Sequence, residues 1–175
     1  MINLCIIRHA HALPLSSLEI KADEDRPLSD QGRGQVAALG FTLHRLGISF
    51  DRIVTSPLVR AVQTAEGLQR LLVGGAANLE TSAHLSPGGS PKKLAKLLRR
   101  ISGDQVAQVA LVGHEPDLSS FLAWLIGGKR ARIELAKAGM AWVVCDSPPR
   151  KGAGRLEWLV TPAWCGQEVP THTSP

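Results

Sequence analysis

Residues 3–10 read NLCIIRHA, an apolar run set directly against an arginine and a histidine. A short apolar run that ends in two β-branched residues is the pattern of a buried strand, which places Arg8 and His9 at its carboxyl end. The same arrangement recurs along the chain. RIVT (52–55) reads as a second strand, followed by Ser56 and, one helical turn on, Arg60; VAQVALVG (106–113) reads as a third, followed by His114.

Amphipathic stretches alternate with these strands. Residues 29–46 carry Val36, Leu39, Leu43 and Leu46 on one face behind a Ser29 cap. Ser56 with Pro57 predicts an N-cap and first helical residue for a helix through about Leu72, and Ser90 with Pro91 repeats the signal before PKKLAKLLRR. EPDLSSFLAWLIGG predicts a helix ended by Gly127 and Gly128, and AWVVCD (141–146) and RLEWLVT (155–161) two further strands around a basic turn. The alternation predicts an α/β fold, a three-layer α/β/α sandwich about a mostly parallel central sheet. Carboxyl ends of parallel strands share one edge, where ligands bind, so Arg8, His9, Arg60 and His114 are expected to converge.

Composition narrows the classes. A chain of 175 residues with 44% hydrophobic and 20% charged residues fits one domain, read here as residues 1–165 with a loose tail at 166–175. The apolar runs fall short of the roughly 18 residues of a membrane span, and no secretory pattern precedes Arg8, so a cytoplasmic protein with no membrane partner is expected. Cys5, Cys145 and Cys165 are widely spaced without a C-x-x-C pair and read as packing residues. The net charge of +5 concentrates at 91–100, 127–132 and 148–155, but the chain contains no tyrosine to interleave with it. In the first cluster Leu94, Leu97, Leu98 and Ile101 recur at helical spacing, so its cations are a solvated face and no nucleic acid is expected.

Two arginines and two histidines at one sheet edge make a site for a phosphate dianion. An imidazole among cations is biased towards its neutral form and keeps a lone pair with which to attack phosphorus. The guanidiniums then stabilise the flattening phosphoryl group, so neither metal nor cofactor is expected. His9 and His11 also have H-x-H spacing, the one metal-like signal, but Arg8 beside it and the lack of a matching carboxylate set argue against a metal.

These residues bring a family with them. IIRHAHA resembles the RHG motif of the histidine phosphatase superfamily, also called phosphoglycerate mutase-like, and TSPLVRAVQTA (55–65) resembles its second-arginine motif. LVGHEP (111–116) is similar to the second-histidine strand end, RPLSDQG (26–32) to the segment opening the first helix, and LEWLVTP (156–162) to the closing strand of short SixA-type phosphohistidine phosphatases. The resemblance implies a phosphoglycerate mutase-like fold, His9 as the nucleophile that becomes phosphorylated, and Arg8, Arg60 and His114 as the phosphate clamp.

Three departures bear on activity. Ala10 stands where the motif has glycine, which has freedom at positive φ that alanine lacks. HLSPGG (84–89) places His84 where the SixA-type segment has glutamate, leaving Asp23, Asp25, His84 and Glu115 as candidate proton donors. Fifty-three residues lie between Arg60 and His114, too few for the insertion that covers the mutase pocket. An open pocket suits phosphate carried on a protein, and a phosphoramidate tolerates a weak acid, so the expected substrate is phosphohistidine on a protein. The alternatives are a small phosphate ester, or a phosphate-recognition module without turnover.

Overall fold

A computed structural model describes residues 1–17, 20–72, 77–101, 107–128, 131–146 and 149–165. The tail read at 166–175 and the first residue of the strand read at 106–113 lie outside them. The elements in chain order are β1 (Ile2–Arg8), α1 (Asp30–Arg45), β2 (Arg52–Thr55), α2 (Val59–Leu71), β3 (Asn78–Thr81), α3 (Pro91–Ile101), β4 (Gln108–Gly113), α4 (Asp117–Leu125), β5 (Met140–Cys145) and β6 (Gly154–Val160).

One six-stranded sheet runs in the order β3-β2-β4-β1-β5-β6. The first four positions are mutually parallel, while β5 and β6 add antiparallel at the β1 side, so the sheet is mixed with a parallel majority. Alternation along β1 serves both faces: Ile2, Leu4 and Ile6 pack with α3 and α4, and Cys5 and Ile7 pack with α1 and α2. The result is the three-layer α/β/α sandwich expected from the pattern. Among the described residues no helix is long and apolar enough to cross a membrane.

The basic helix behaves as its spacing predicts. Leu94, Leu97, Leu98 and Ile101 of α3 are buried, each contributing roughly 1.5–3 kcal/mol, and Ser90 Oγ accepts the Lys93 N–H at its start. Ser29 likewise caps α1 by accepting the Gly32 N–H at 3.1 Å. The reading of Ser56 and Pro57 as the start of α2 is corrected. The helix begins at Val59, with Leu58 in the cap position, while the Ser56 hydroxyl accepts the Leu58 N–H at 3.3 Å and also bonds His114. All three cysteines are free and buried.

Candidate active site

The register of three parallel strands sets the site. Arg8 pairs with Gly113 and Thr55 with Val112, so β1, β4 and β2 end level, and the chain leaves each through His9, His114 and Ser56. Backbone bonds hold these exits together: His9 N–H donates to Gly113 O at 3.0 Å and Ser56 N–H to Val112 O at 2.9 Å. His9, Arg60, His114 and Ser56 are all buried there.

His9 is fixed in one tautomer. Its Nδ1 lies 2.7 Å from the Ala10 carbonyl oxygen, which can only accept, so Nδ1 carries the proton and Nε2 keeps its lone pair. Arg60 Nε donates to that Nε2 at 3.3 Å, and the His114 ring stands 5.0 Å from the His9 ring. His114 Nε2 shares a 2.8 Å hydrogen bond with the Ser56 hydroxyl. Burial lowers the His9 pKa to about 4, with Arg60, Arg8 and Lys137 adding to it against the Ala10 hydrogen bond. Burial also lowers His114 to about 3, followed by the influence of His9 and Arg60. Both imidazoles are therefore neutral at ordinary pH.

Arg60 is held by a residue 37 positions upstream. Its two terminal nitrogens donate to the Asp23 carbonyl oxygen at 2.6 Å and to Asp23 Oδ2 at 2.9 Å. Asp23 also accepts from Arg26, and that bond, ahead of Arg60, keeps its carboxyl below the usual range. Thr64 ties the helix to the nucleophile loop, accepting the Ala10 N–H at 3.1 Å while donating to Arg60 O at 2.7 Å.

Ala10 lies outside the positive-φ region, and its methyl is buried with Cys5, Ile7 and Ala61. Alanine therefore meets no backbone strain at the motif's glycine position. The close approach falls instead at Gly32, where a Cβ would lie 2.0 Å from the His11 carbonyl oxygen. That contact lets the start of α1 dock on the loop after His9, where Ser29 N–H donates to His11 O at 3.0 Å. His11 itself is half-buried at the rim, its Nδ1 2.8 Å from Ser29 Oγ, so the H-x-H pair is divided between two different partners.

Arg8 ends β1 on the face opposite Ile7, and its charge still acts on both His9 and His114. Its Nη1 donates to Leu135 O at 2.8 Å, and the side chain borders a cavity of about 750 Å³ lined also by Glu115, Ser119, Trp124, Arg132 and Lys151. Glu115 Oε1 is buried there without a partner among the described residues, and burial raises its pKa. Asp25 and His84 are exposed. Three neighbours of the site escaped the sequence reading: the Ser56 hydroxyl on His114, Thr64, and Lys137. Thr64 carried a signal, lying one helical turn after Arg60 on the same face, and so did Ser56, directly after a strand end.

Comparison with known proteins bears on the family and the fold. Residues 4–86 match the model of the histidine phosphatase superfamily (branch 1). An uncharacterized protein of Picosynechococcus sp. is 31% identical over 88% of this chain and 94% of its own length. The phosphohistidine phosphatase SixA of Escherichia coli (strain K12) is 28% identical over 90% of this chain and 92% of its own. The solved structure of the protein histidine phosphatase SixA complexed with tungstate superposes with a TM-score of 0.81 at 24% identity, covering 93% of this chain and 98% of that one. With its fold and its ordered motifs, the chain belongs to the histidine phosphatase superfamily.

Proposed function

We propose that the protein is a phosphohistidine phosphatase acting on phosphorylated protein, with His9 as nucleophile and Arg8, Arg60 and His114 as the phosphate clamp. One observation carries the reading: the Nδ1 bond to Ala10 O leaves His9 Nε2 unprotonated, in a buried position facing Arg60 Nε. Nε2 attacks phosphorus in line as the bond to the leaving nitrogen breaks, and the phosphoryl group rests on His9 until water takes it. The guanidiniums and His114 stabilise the equatorial oxygens, and no metal takes part in the reaction.

The protein substrate is supported by the SixA relative, which matches nearly end to end. The short connection between Arg60 and His114 leaves no long segment to enclose a small ester. The test is turnover, without added metal, of a phosphohistidine protein against p-nitrophenyl phosphate and sugar phosphates. Faster release from the protein, a phosphoenzyme that is labile to acid, and loss of both in His9→Ala are expected. Preference for a small ester would favour the ester phosphatase, and phosphate binding without any turnover would favour the recognition module.

A further inference from the structure

Lys137 lies on a turn stapled to the nucleophile segment. Gly139 N–H donates to Ala136 O at 2.7 Å, closing the turn, while Ala138 N–H donates to His9 O at 3.2 Å and Arg8 N–H to Gly139 O at 3.0 Å. The turn requires Ala138 at φ 55°, a left-handed conformation that costs alanine about 1–2 kcal/mol and is found where surrounding structure imposes it. The peptide of the nucleophile is thus clamped against the peptide that carries Lys137.

The surroundings of this lysine are unusual for a solvated one. It is half-buried and has neither an ion pair nor a side-chain hydrogen bond among the described residues. Burial and then the charges of Arg8, Arg26 and Arg60 lower its pKa, and its own charge acts on both His9 and His11. The carboxylate set among these cations, Asp23, is already committed to Arg26 and Arg60. Four cations therefore share two acidic groups, Asp23 and, beside Arg8, a Glu115 that burial biases towards its neutral form. An ordinary surface lysine would swing its long stem away from such repulsion. Holding it there is favourable when an anion enters.

We infer that Lys137 is a further phosphate-binding residue of this site, an ammonium delivered by the 136–139 turn to a phosphoryl dianion at His9. The inference rests on the proposed function, which puts that dianion there. A compact ammonium on a flexible stem complements the fixed guanidinium forks, because it follows an oxygen that moves as phosphorus inverts.

The experiment uses inorganic phosphate as the probe, at constant ionic strength, on the full chain and its Lys137→Met and Lys137→Arg variants. Thermal melts are recorded with and without phosphate, together with its competitive inhibition constant. In phosphate-free buffer Lys137→Met is expected to melt no lower than wild type, because one repelling charge has gone. Its phosphate-induced shift should shrink and its inhibition constant rise about tenfold, while Lys137→Arg keeps most of both. A Lys137→Met protein with wild-type shift and inhibition constant overturns the inference and leaves the proposed function standing. A large loss of phosphate-free stability in Lys137→Met, not restored in Lys137→Arg, also overturns it, since the lysine would then be structural. Wild-type protein that does not respond to phosphate overturns both readings.

Discussion

Arg60 Nε lies 3.3 Å from His9 Nε2, so a buried guanidinium points at the lone pair that would attack phosphorus. Placed there, the same N–H can pass from the free imidazole to an oxygen of the arriving phosphoryl group. Arg60→Ala should lower kcat/KM by roughly 10²–10³, the range for losing one preorganised donor to developing charge. Arg60→Lys should recover little, because an ammonium cannot reproduce the fork. Steady-state kinetics with both variants measure this, and wild-type activity in Arg60→Lys would remove Arg60 from the clamp.

The fork is aimed by Asp23, whose side chain is 52% exposed while that of Arg60 is 6% exposed. Removing the exposed partner leaves the buried one under-paired. Asp23→Asn should cost on the order of 1 kcal/mol in phosphate-free buffer. Phosphate should then raise its melting temperature by more than it raises that of wild type, since the anion replaces the lost charge. Equal shifts in the two proteins would show that Asp23 does not compete with phosphate for Arg60.

How far the sequence alone reached depends on whether a residue's role is set by its neighbours in the chain. The strand ends carrying Arg8, His9 and His114 and the leucine stripe of α3 are local patterns, and the structure places them as read. The second role of Ser56 is not legible in the sequence because its hydroxyl, besides accepting the Leu58 N–H before α2, bonds His114, 58 positions away. β3 was missed because NLET is a short edge strand with both end residues exposed, which leaves no alternation to detect. Asp23 and Lys137 reach the site through a single 3₁₀ turn and a tight turn whose sequences carry no periodicity, so only the folded chain shows whom they face.

Two alanines near His9 should respond in opposite directions to glycine. Ala10 has no positive φ and a buried methyl, so Ala10→Gly should lose about 1 kcal/mol of stability and leave kcat/KM essentially unchanged. Ala138 also loses a buried methyl, so the relief of its strained φ of 55° is partly offset and it should gain at most about 1 kcal/mol as glycine. Denaturant unfolding of the two variants measures both. Higher activity in Ala10→Gly would mean that the superfamily's glycine serves catalysis and not backbone fit.

Stability should fall on mild acidification. His9 and His114 have native pKa values near 4 and 3 against 6.5 in the unfolded chain, so below pH 6.5 the unfolded state takes up protons that the native state refuses. The stability they contribute is present above pH 6.5 and is lost as pH drops towards 4. Glu115, raised by burial, binds its proton more tightly when folded and works in the opposite sense. Denaturation midpoints from pH 7 to pH 4.5 should therefore decline in wild type and decline less in a His9→Asn, His114→Asn double variant. Identical slopes would show that neither imidazole is held neutral by the fold.

The proton for the leaving group should come from Glu115. Asp23 is held ionised by Arg26 and Arg60, whereas Glu115 is pushed upward by burial and follows His114 directly in the chain. An acid matters most when the departing atom is a poor leaving group. Glu115→Gln should slow alkyl phosphate hydrolysis by roughly 10²-fold and change p-nitrophenyl phosphate hydrolysis little. Phosphohistidine should fall near the p-nitrophenyl end, because its ring nitrogen takes a proton from solvent. An equal loss on all three substrates would assign Glu115 to positioning His114, and loss on none would return the proton donor to the exposed Asp25 or His84 at the rim.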